Sequence, residues 1–328
     1  MKRNAKLVVL MAFMLAFTVC ASSGLAEDTF PSKPITMIDP WSPGGGCDIM
    51  GRILASVAAE NLGQPIIMKY ITGGSGVRGA EALTRANADG YTTATIAYGA
   101  IINQTVSQPD KAHFGKDDFV WVCQVSAGPC VLVANPKAPF KTIPEMVEYV
   151  KKNPGKIIYS SSGRFGFVHT AWARLIRAMG IEGKMIHLPT RGGGPAMKEC
   201  LGGHALVTGG TPAVSSQHIQ AGTVIPLGTS DDERWPLLKQ IPTVKEVIGK
   251  EISPTTLWIA IAVPKGTPPD RVEFLREGFK KIMDTQSVQR LMARTGDVPK
   301  YMSGPDFQKK FDREWAEGKD MASLLLEK

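Results

Sequence analysis

The sequence predicts an α/β fold, in which short strands alternate with amphipathic helices. Short β-branched runs such as Ile35-Thr-Met-Ile38 recur along the chain, and segments with apolar residues at helical spacing follow most of them. Glycine-rich turns separate the strands from the helices. Strands alternating with helices are typical of α/β proteins with parallel sheets. The length of 328 residues is enough for about two domains.

Each element follows from a local signal. A turn at 43–46 precedes a helix whose apolar positions step by four until Gly63 stops it. Thr142 can cap a helix that has Pro144 in its first turn and Glu145 to complete a capping box. We predict strands at 35–38, 65–71, 91–97, 119–125, 131–134, 156–160, 185–188, 205–208, 224–229 and 258–263. Further helices are predicted at 78–87, 167–179, 194–201, 269–284, 287–295 and 304–325.

Residues 1–26 have the layout of a secretory signal peptide. Three basic residues precede a 13-residue apolar run at 7–19, and small residues end at Ala26. The run is too short for a membrane helix, which needs about 20 apolar residues. We expect export with cleavage after Ala26. Lipidation at Cys20 is the alternative, although the residues before it fit that signal poorly.

Composition and charge narrow the class of ligand. The chain is 43% hydrophobic and 21% charged, which is typical of globular proteins. Its net charge of +8 falls to +5 without the three basic residues of the signal segment, and no run of five basic residues occurs. We therefore expect no nucleic-acid partner, and a small acidic ligand fits the charge better.

The sequence has no complete motif for a nucleotide site, a zinc site or a catalytic site. Gly74–Gly79 satisfies G-x-G-x-x-G, but no acidic residue ends the next strand, so we expect no nucleotide. The cysteines match no zinc pattern, and we expect neither a metal nor any other cofactor. No nucleophile–base pair or carboxylate pair stands out, so no catalytic residue is assigned. Cys123 and Cys130 could bridge adjacent strands in an exported protein; buried thiols are the alternative.

Turns rich in Gly, Ser or Thr follow several strands, at 42–46, 72–76, 160–166, 190–194 and 208–212. Ligands of open α/β sheets bind at the carboxyl ends of the strands. A turn that opens a helix there presents free N–H groups and the positive end of the helix dipole. Five such turns predict a cleft that binds an anion.

A series of short motifs runs in order along nearly the whole chain after the signal segment. It includes Trp41-Ser-Pro-Gly-Gly-Gly-Cys-Asp48, Gly73-Gly-Ser-Gly-Val77, Tyr159-Ser-Ser-Ser-Gly163, Gly192-Gly-Gly-Pro-Ala196 and Val263-Pro-Lys-Gly-Thr-Pro268. The series resembles the solute-binding proteins of tripartite tricarboxylate transporters, also called the Bug family.

The resemblance implies a two-lobed periplasmic-binding-protein-like fold of type II, with a mixed sheet flanked by helices in each lobe. Lobe 1 would comprise 27–127 plus 256–328, lobe 2 would comprise 128–255, and the ligand cleft would lie between them. It implies a periplasmic receptor, not an enzyme, that captures a small organic carboxylate and delivers it to membrane permease subunits. We expect a monomer that closes by hinge motion.

The resemblance also implies the site. One carboxylate would sit against the first two glycine turns, largely through backbone groups and ordered waters, and the second lobe would contact the rest of the ligand. The first set is Trp41, Ser42, Gly44, Gly45, Gly46, Cys47, Asp48, Thr72, Gly73, Gly74, Ser75 and Gly76. The second set is Ser161, Ser162, Arg164, Phe165, Thr190, Arg191, Gly209 and Thr211. We expect Asp48 to cap its own helix and Trp41 to form an apolar wall or a packing contact.

Two departures from the family pattern bear on the ligand. Leu188-Pro-Thr-Arg191 stands where the family has Val-Pro-Tyr, and 208–212 lacks the Asp that the family often has. Loss of that carboxylate argues against an α-amino group on the ligand. Arg164 and Arg191 could hold a distal carboxylate, with solvated surface arginines as the alternative. The hypothesis is a non-amino di- or tricarboxylate, or an aromatic carboxylate.

Two other functions stay open at this point. An exported hydrolase or transferase would need Ser75 or Ser162 as its nucleophile, and neither has an assigned base. A sensor subunit that presents its bound ligand to a membrane kinase would use the same closed surface as a transport receptor.

Overall fold

The computed structural model describes residues 29–97, 102, 105 and 112–326. The predicted signal peptide and its cleavage site lie outside these residues. Contacts divide the chain into residues 1–32 and 33–328, and both sheets lie in the second unit. No helix of the described residues has the length and apolar character needed to cross a membrane.

The described strands form two sheets. The first contains β1 (Ile35–Asp39), β2 (Ile66–Tyr70), β3 (Thr92–Ala97), β4 (Phe119–Pro129), β10 (Thr256–Pro264) and β11 (Pro299–Ser303), in the order β11-β4-β10-β3-β1-β2. The second contains β5 (Val131–Ala134), β6 (Ile157–Ser161), β7 (Met185–Pro189), β8 (Val207–Gly210) and β9 (Ile225–Thr229), in the order β7-β6-β8-β5-β9.

Both sheets are mixed, as the family resemblance implies, and the parallel pairing expected from strand–helix alternation holds for part of each sheet. β1 is parallel to β2 and β3, whereas β10 is antiparallel to β3 and β4. In the second sheet β6 is parallel to β7 and β8, but β5 is antiparallel to β8 and β9. A parallel neighbour needs a crossover connection, and β4 instead continues into β5 of the other sheet after one residue.

Helices cover the sheets, and most lie where the sequence predicts them. They are α1 (Gly46–Ala55), α2 (Ala58–Leu62), α3 (Val77–Thr84), α4 (Ile143–Lys152), α5 (Phe167–Ala178), α6 (Gly193–Leu201), α7 (Pro212–Gln220), α8 (Val244–Ile248), α9 (Pro269–Asp284), α10 (Gln286–Thr295) and α11 (Gly304–Leu326). The single helix predicted up to Gly63 is wrong, because the backbone of Val57 leaves the helical region and α2 starts anew. Sequence analysis missed α7, α8 and β11. Thr211 and Pro212 were assigned to a turn, although they are the N-cap and first residue of α7.

The N-terminus of α4 shows how local signals set an element. The hydroxyl of Thr142 accepts the N–H of Glu145, so the predicted cap is confirmed. The Glu145 carboxylate accepts the N–H of Lys141 at 2.7 Å, one residue earlier than a capping box requires. The side chains of Thr142 and Glu145 therefore accept two backbone N–H groups at the start of α4.

The chain segments that connect the two sheets contact each other. Cys130 and Ser230 exchange two hydrogen bonds, from Cys130 N–H to Ser230 Oγ at 2.8 Å and from Ser230 N–H to the Cys130 carbonyl at 2.9 Å. Ser230 Oγ also donates to the Thr255 carbonyl, directly before β10, at 2.6 Å. The segments that connect the sheets are thus tied together at one place.

The cysteines of the described residues are buried free thiols: Cys47, Cys123, Cys130 and Cys200. The disulfide considered for Cys123 and Cys130 is absent. Cys123 lies within β4 and Cys130 directly follows it, since β4 runs from Phe119 through Pro129. Seven residues of strand span roughly 20 Å, which is far beyond disulfide reach.

Candidate functional site

Two glycine turns, one from each sheet, meet backbone to backbone. The turn at 42–46 follows β1, and the turn at 190–194 follows β7. Ser42 N–H donates to the Arg191 carbonyl at 3.1 Å. A Cβ on Gly194 would lie only 2.5 Å from the Pro43 carbonyl oxygen, so glycine is required for this close approach.

A second pair of turns meets in the same manner. The Ser75 hydroxyl, after β2, donates to the carbonyl of Arg164, after β6, at 2.6 Å. A Cβ on Gly163 would lie 2.3 Å from Ser75 Oγ. Ser75 and Phe165 both have positive φ, of 53° and 63°, a conformation that side chains other than glycine seldom adopt. This contact therefore holds both turns in uncommon conformations.

The turns that meet border a cavity with a volume of about 50 Å³. Both sheets contribute to its wall, and glycine backbone and apolar side chains make up most of it. It is lined by Trp41, Gly45, Gly46, Cys47, Ala97, Ser162, Gly166, Phe167, Val168, Gly193, Gly210, Thr211, Val214 and Leu257. No charged side chain belongs to this set.

Four helices begin at the cavity, and three of them lack a side-chain cap. The N-caps of α1, α5 and α6 are Gly45, Gly166 and Gly192, none of which supplies an acceptor. α7 differs because the Thr211 hydroxyl accepts the N–H of Val214. In the described part of the chain, the first N–H groups of α1, α5 and α6 have no acceptor. Unpaired N–H groups and three positive helix ends make the cavity favourable for an anion without any fixed cation.

Asp48 shapes the first glycine turn but does not cap α1 as predicted, because no side chain accepts an N–H of that helix's first turn. Its carboxylate accepts the N–H of Gly44 at 2.8 Å, Nε of Arg52 at 2.8 Å and the hydroxyl of Tyr70 at 2.5 Å. Burial and the hydrogen bond to Asp48 raise the pKa of Tyr70 to about 12, so the phenol stays a donor. The Asp48 charge is therefore satisfied outside the cavity, whose wall it does not join.

Asp39 is a buried carboxyl that sequence analysis missed. It ends β1, is fully buried, and accepts the N–H of Trp41 at 2.9 Å through Oδ1. Its Oδ2 has no partner among the described residues. Burial raises its pKa to about 7; the Trp41 N–H opposes the shift and nearby Asp48 adds to it. The position of a single acidic residue at the end of an apolar strand could have indicated this buried carboxyl.

Three stacked rings support the second pair of turns. The imidazoles of His169 and His187 are 4.1 Å apart and nearly parallel, and Tyr159 stacks on His187 at 4.8 Å. Burial lowers the pKa of His169 to about 3, with help from His187 and Arg164, and burial and Arg164 lower that of His187 to about 4. Both rings are therefore neutral near pH 7. Phe165 N–H donates to Nδ1 of His169 at 3.0 Å, which fixes Phe165 in its positive-φ conformation.

The same stack contains a Ser–His contact, with Ser161 Oγ 2.7 Å from Nε2 of His187. Ser161 also donates to the Gly163 carbonyl at 3.0 Å, so the neutral His187 ring donates its Nε2–H to Ser161. The serine is fully buried and does not line the cavity. The contact braces the turn and does not have the exposed nucleophile that acyl transfer requires.

Replacing His169 should separate its hydrogen-bonding role from its bulk. We expect His169→Ala to lower the free energy of unfolding by about 2 kcal/mol, because the buried Phe165 N–H loses its acceptor. His169→Asn keeps an oxygen near the position of Nδ1 and should lose less than half as much. Urea unfolding measures both, with the exposed His113→Ala as the control. Equal losses for Ala and Asn would contradict the assigned role.

The structure brings some of the predicted site residues to the cavity and leaves others beside it. Those that line it are Trp41, Gly45, Gly46, Cys47, Ser162 and Thr211. Those that lie in the neighbouring turns and strands without lining it are Ser42, Gly44, Asp48, Thr72, Gly73, Gly74, Ser75, Gly76, Ser161, Arg164, Phe165, Thr190, Arg191 and Gly209. Arg164 and Arg191 are exposed. Trp41 lines the cavity and also packs against Gly76, where an added Cβ would lie 2.6 Å from the Trp41 ring.

Three further wall residues, Gly166, Gly193 and Gly210, lie in the predicted cleft turns but were not named as site residues. The wall residues that the sequence did not predict are apolar: Ala97, Phe167, Val168, Val214 and Leu257. Phe167 and Val168 begin a helix directly after a glycine turn, which was a usable signal. Ala97 and Leu257 give no such signal, because they sit in strands that read as ordinary core. Within the described ranges, no cluster of three or more His, Cys, Asp or Glu could hold a metal ion.

Comparison with known proteins agrees with this geometry. A family model described as the tripartite tricarboxylate transporter family receptor matches residues 50–321. The UPF0065 protein in the gbd 5′ region of Cupriavidus necator is 32% identical over 287 residues, covering 85% of this chain and 84% of that protein. Protein BugT of Bordetella pertussis is 29% identical over 296 residues, covering 90% and 89% of the two chains.

Solved structures share the fold. A periplasmic transporter superposes with a TM-score of 0.82 at 29% identity, covering 90% of this chain and 97% of that one. An adipate-bound protein of R. palustris superposes with a TM-score of 0.82 at 22% identity, covering 90% and 98%. Malate-bound MatC of Rhodopseudomonas palustris gives 0.82 at 22%, covering 89% and 100%. The predicted α/β fold of the periplasmic-binding-protein type is confirmed.

Proposed function

Since the chain belongs to the tripartite tricarboxylate transporter receptor family, we propose that it captures a small organic carboxylate in the periplasm and delivers it to the membrane permease of such a transporter. The observation that carries this proposal is the convergence of three uncapped helix N-termini on an uncharged cavity between two sheets. Backbone N–H groups there can bind carboxylate oxygens, and the helix dipoles favour the negative charge.

The cavity also supports a ligand without an amino group. No carboxylate side chain lines it, so a buried ammonium would have no anionic partner, which is costly. The adipate- and malate-bound neighbours carry ligands of this kind. The same wall supports binding without catalysis, because the Ser75 hydroxyl is engaged by the Arg164 carbonyl and no histidine lines the cavity.

We further propose that residues 27–127 plus 256–328 and residues 128–255 act as two lobes. The joined segments at Cys130, Ser230 and Thr255 are suited to serve as the hinge, and the meeting glycine turns define the closed form. A ligand that contacts both lobes favours closure, since it binds the closed form more tightly. The receptor is proposed to reach the periplasm through cleavage after Ala26 and to act as a monomer.

A binding screen tests the proposal on the mature protein. Each carboxylate is paired with its α-amino analogue, and the melting temperature and calorimetric affinity are measured for both. We expect carboxylates alone to bind; at 100 times its dissociation constant a ligand stabilises by about 2.7 kcal/mol. Small-angle scattering should show compaction on saturation. Tight binding of amino acids without binding of amine-free carboxylates, or consumption of a bound ester, would contradict the proposal.

A further inference from the structure

The cavity wall has a chemical character that narrows the ligand beyond a small carboxylate. Its side chains are mainly apolar, with Trp41, Phe167 and Leu257 as the largest, and the polar contribution comes from two hydroxyls, one thiol and backbone groups. A wall of this composition pairs an anion-binding end with an apolar surface.

We propose that the ligand is a monocarboxylate with an apolar body, of the alkyl or aryl class, rather than a di- or tricarboxylate. The inference rests on the proposed function and names the ligand class of that same site. A carboxylate has two oxygens with about four acceptor positions. Residues at the N-termini of α1, α5 and α6 line the cavity from both sheets, so one carboxylate can take up donors from both.

A second carboxylate would lack a charged partner. Arg164 is exposed, with its guanidinium over the ring of Phe165 at 5.7 Å, and it does not line the cavity. Arg191 is likewise exposed and contributes only its carbonyl, to Ser42 N–H. Neither arginine lines the cavity, so a second buried charge there would have no charged partner.

Two buried acidic side chains lie behind the wall, and neither offers a positive partner to a second carboxylate. Asp39 hydrogen-bonds the backbone of Trp41, and Asp48 lies one residue after Cys47; both are buried. Arg52 pairs with Asp48 at 2.8 Å, has 59% of its side chain exposed and does not line the cavity. The nearest cation is therefore already paired and is not available to a second carboxylate in the cavity.

Matched acids separate the classes. We expect calorimetry to show that hexanoate binds at least 10-fold more tightly than adipate, and benzoate at least 10-fold more tightly than terephthalate. Adipate has a carboxylate in place of the terminal methyl of hexanoate, and terephthalate has one in place of a ring hydrogen of benzoate. Equal or tighter binding of the diacids would overturn this inference and leave the proposed function standing. Absence of binding by all four acids would overturn the proposed function, and this inference with it.

A pair of leucine variants checks the apolar wall. Leu257→Ala removes a large side chain from the wall and should weaken benzoate and hexanoate about 10-fold. Leu237 is 44% exposed and distinct from the wall, so Leu237→Ala should leave both affinities unchanged. Circular dichroism confirms that each variant is folded, and Val168→Ala replaces Leu257→Ala if it is not. Unchanged affinity in a folded wall variant would contradict the inference.

Discussion

Gly194→Ala is expected to weaken carboxylate binding by about 10- to 100-fold while leaving the fold intact. The new Cβ would lie 2.5 Å from the Pro43 carbonyl oxygen and 2.9 Å from the Gly44 carbonyl carbon. Both are backbone atoms of the opposite turn, so no change of rotamer relieves the contact. Overpacking of this kind costs about 1–3 kcal/mol, and the cost falls only on the form in which the two turns meet.

The substitution does not harm the helix that carries it. Gly194 is the second residue of α6 and has helical backbone, where alanine is favoured over glycine by about 1 kcal/mol. We therefore expect an unchanged or higher melting temperature without ligand, combined with a loss of affinity in calorimetry. Gly115→Ala is the control, since its nearest neighbour would be Asp118 Oδ2 at 3.8 Å. Wild-type affinity in Gly194→Ala would mean that the turns need not meet for binding.

Most of the fold could be predicted because local signals and tertiary packing agree. For example, the helix predicted at 269–284 is α9, which has the same bounds in the structure. β11 was missed because its five residues carry lysine, proline and serine and are only partly buried. Its place in the sheet depends on pairing with β4, and no local pattern encodes a partner that lies about 170 residues away.

The site was predictable in its backbone and not in its side chains. Glycine turns indicate helix N-termini, so Gly45 and Gly46 could be predicted as residues of the cavity wall. Arg164 and Arg191 were predicted either as contacts to a distal carboxylate or as solvated surface residues, because sequence gives no direction for a side chain; both are exposed in the structure. Leu257 and Ala97 were missed because a strand residue facing a cavity has the same sequence character as one facing the core.

Asp39→Asn is expected to stabilise the protein increasingly as pH rises. Burial raises the pKa of Asp39 from 3.8 to about 7, so between these values the folded chain keeps a proton that the unfolded chain has released. The favourable contribution of that proton is present in acid and is lost as pH rises to 7. An asparagine has no such loss and can still accept the Trp41 N–H. The difference in unfolding free energy between variant and wild type should grow by about 2–3 kcal/mol from pH 5 to pH 8.

The pH dependence is taken from the difference in unfolding free energy between Asp39→Asn and wild type, because other groups titrate in the same pH range. The lowered pKa values of His169 and His187 make the folded state less stable as pH falls below about 6.5, which opposes the trend of Asp39 in the wild-type curve. Both histidines are present in both proteins, so subtraction removes them. Glu182→Gln removes an exposed carboxylate and should give a flat difference. If the difference in unfolding free energy for Asp39→Asn were also independent of pH, the Asp39 carboxyl would be ionised throughout this range. A group other than a proton would then stabilise its unpartnered oxygen.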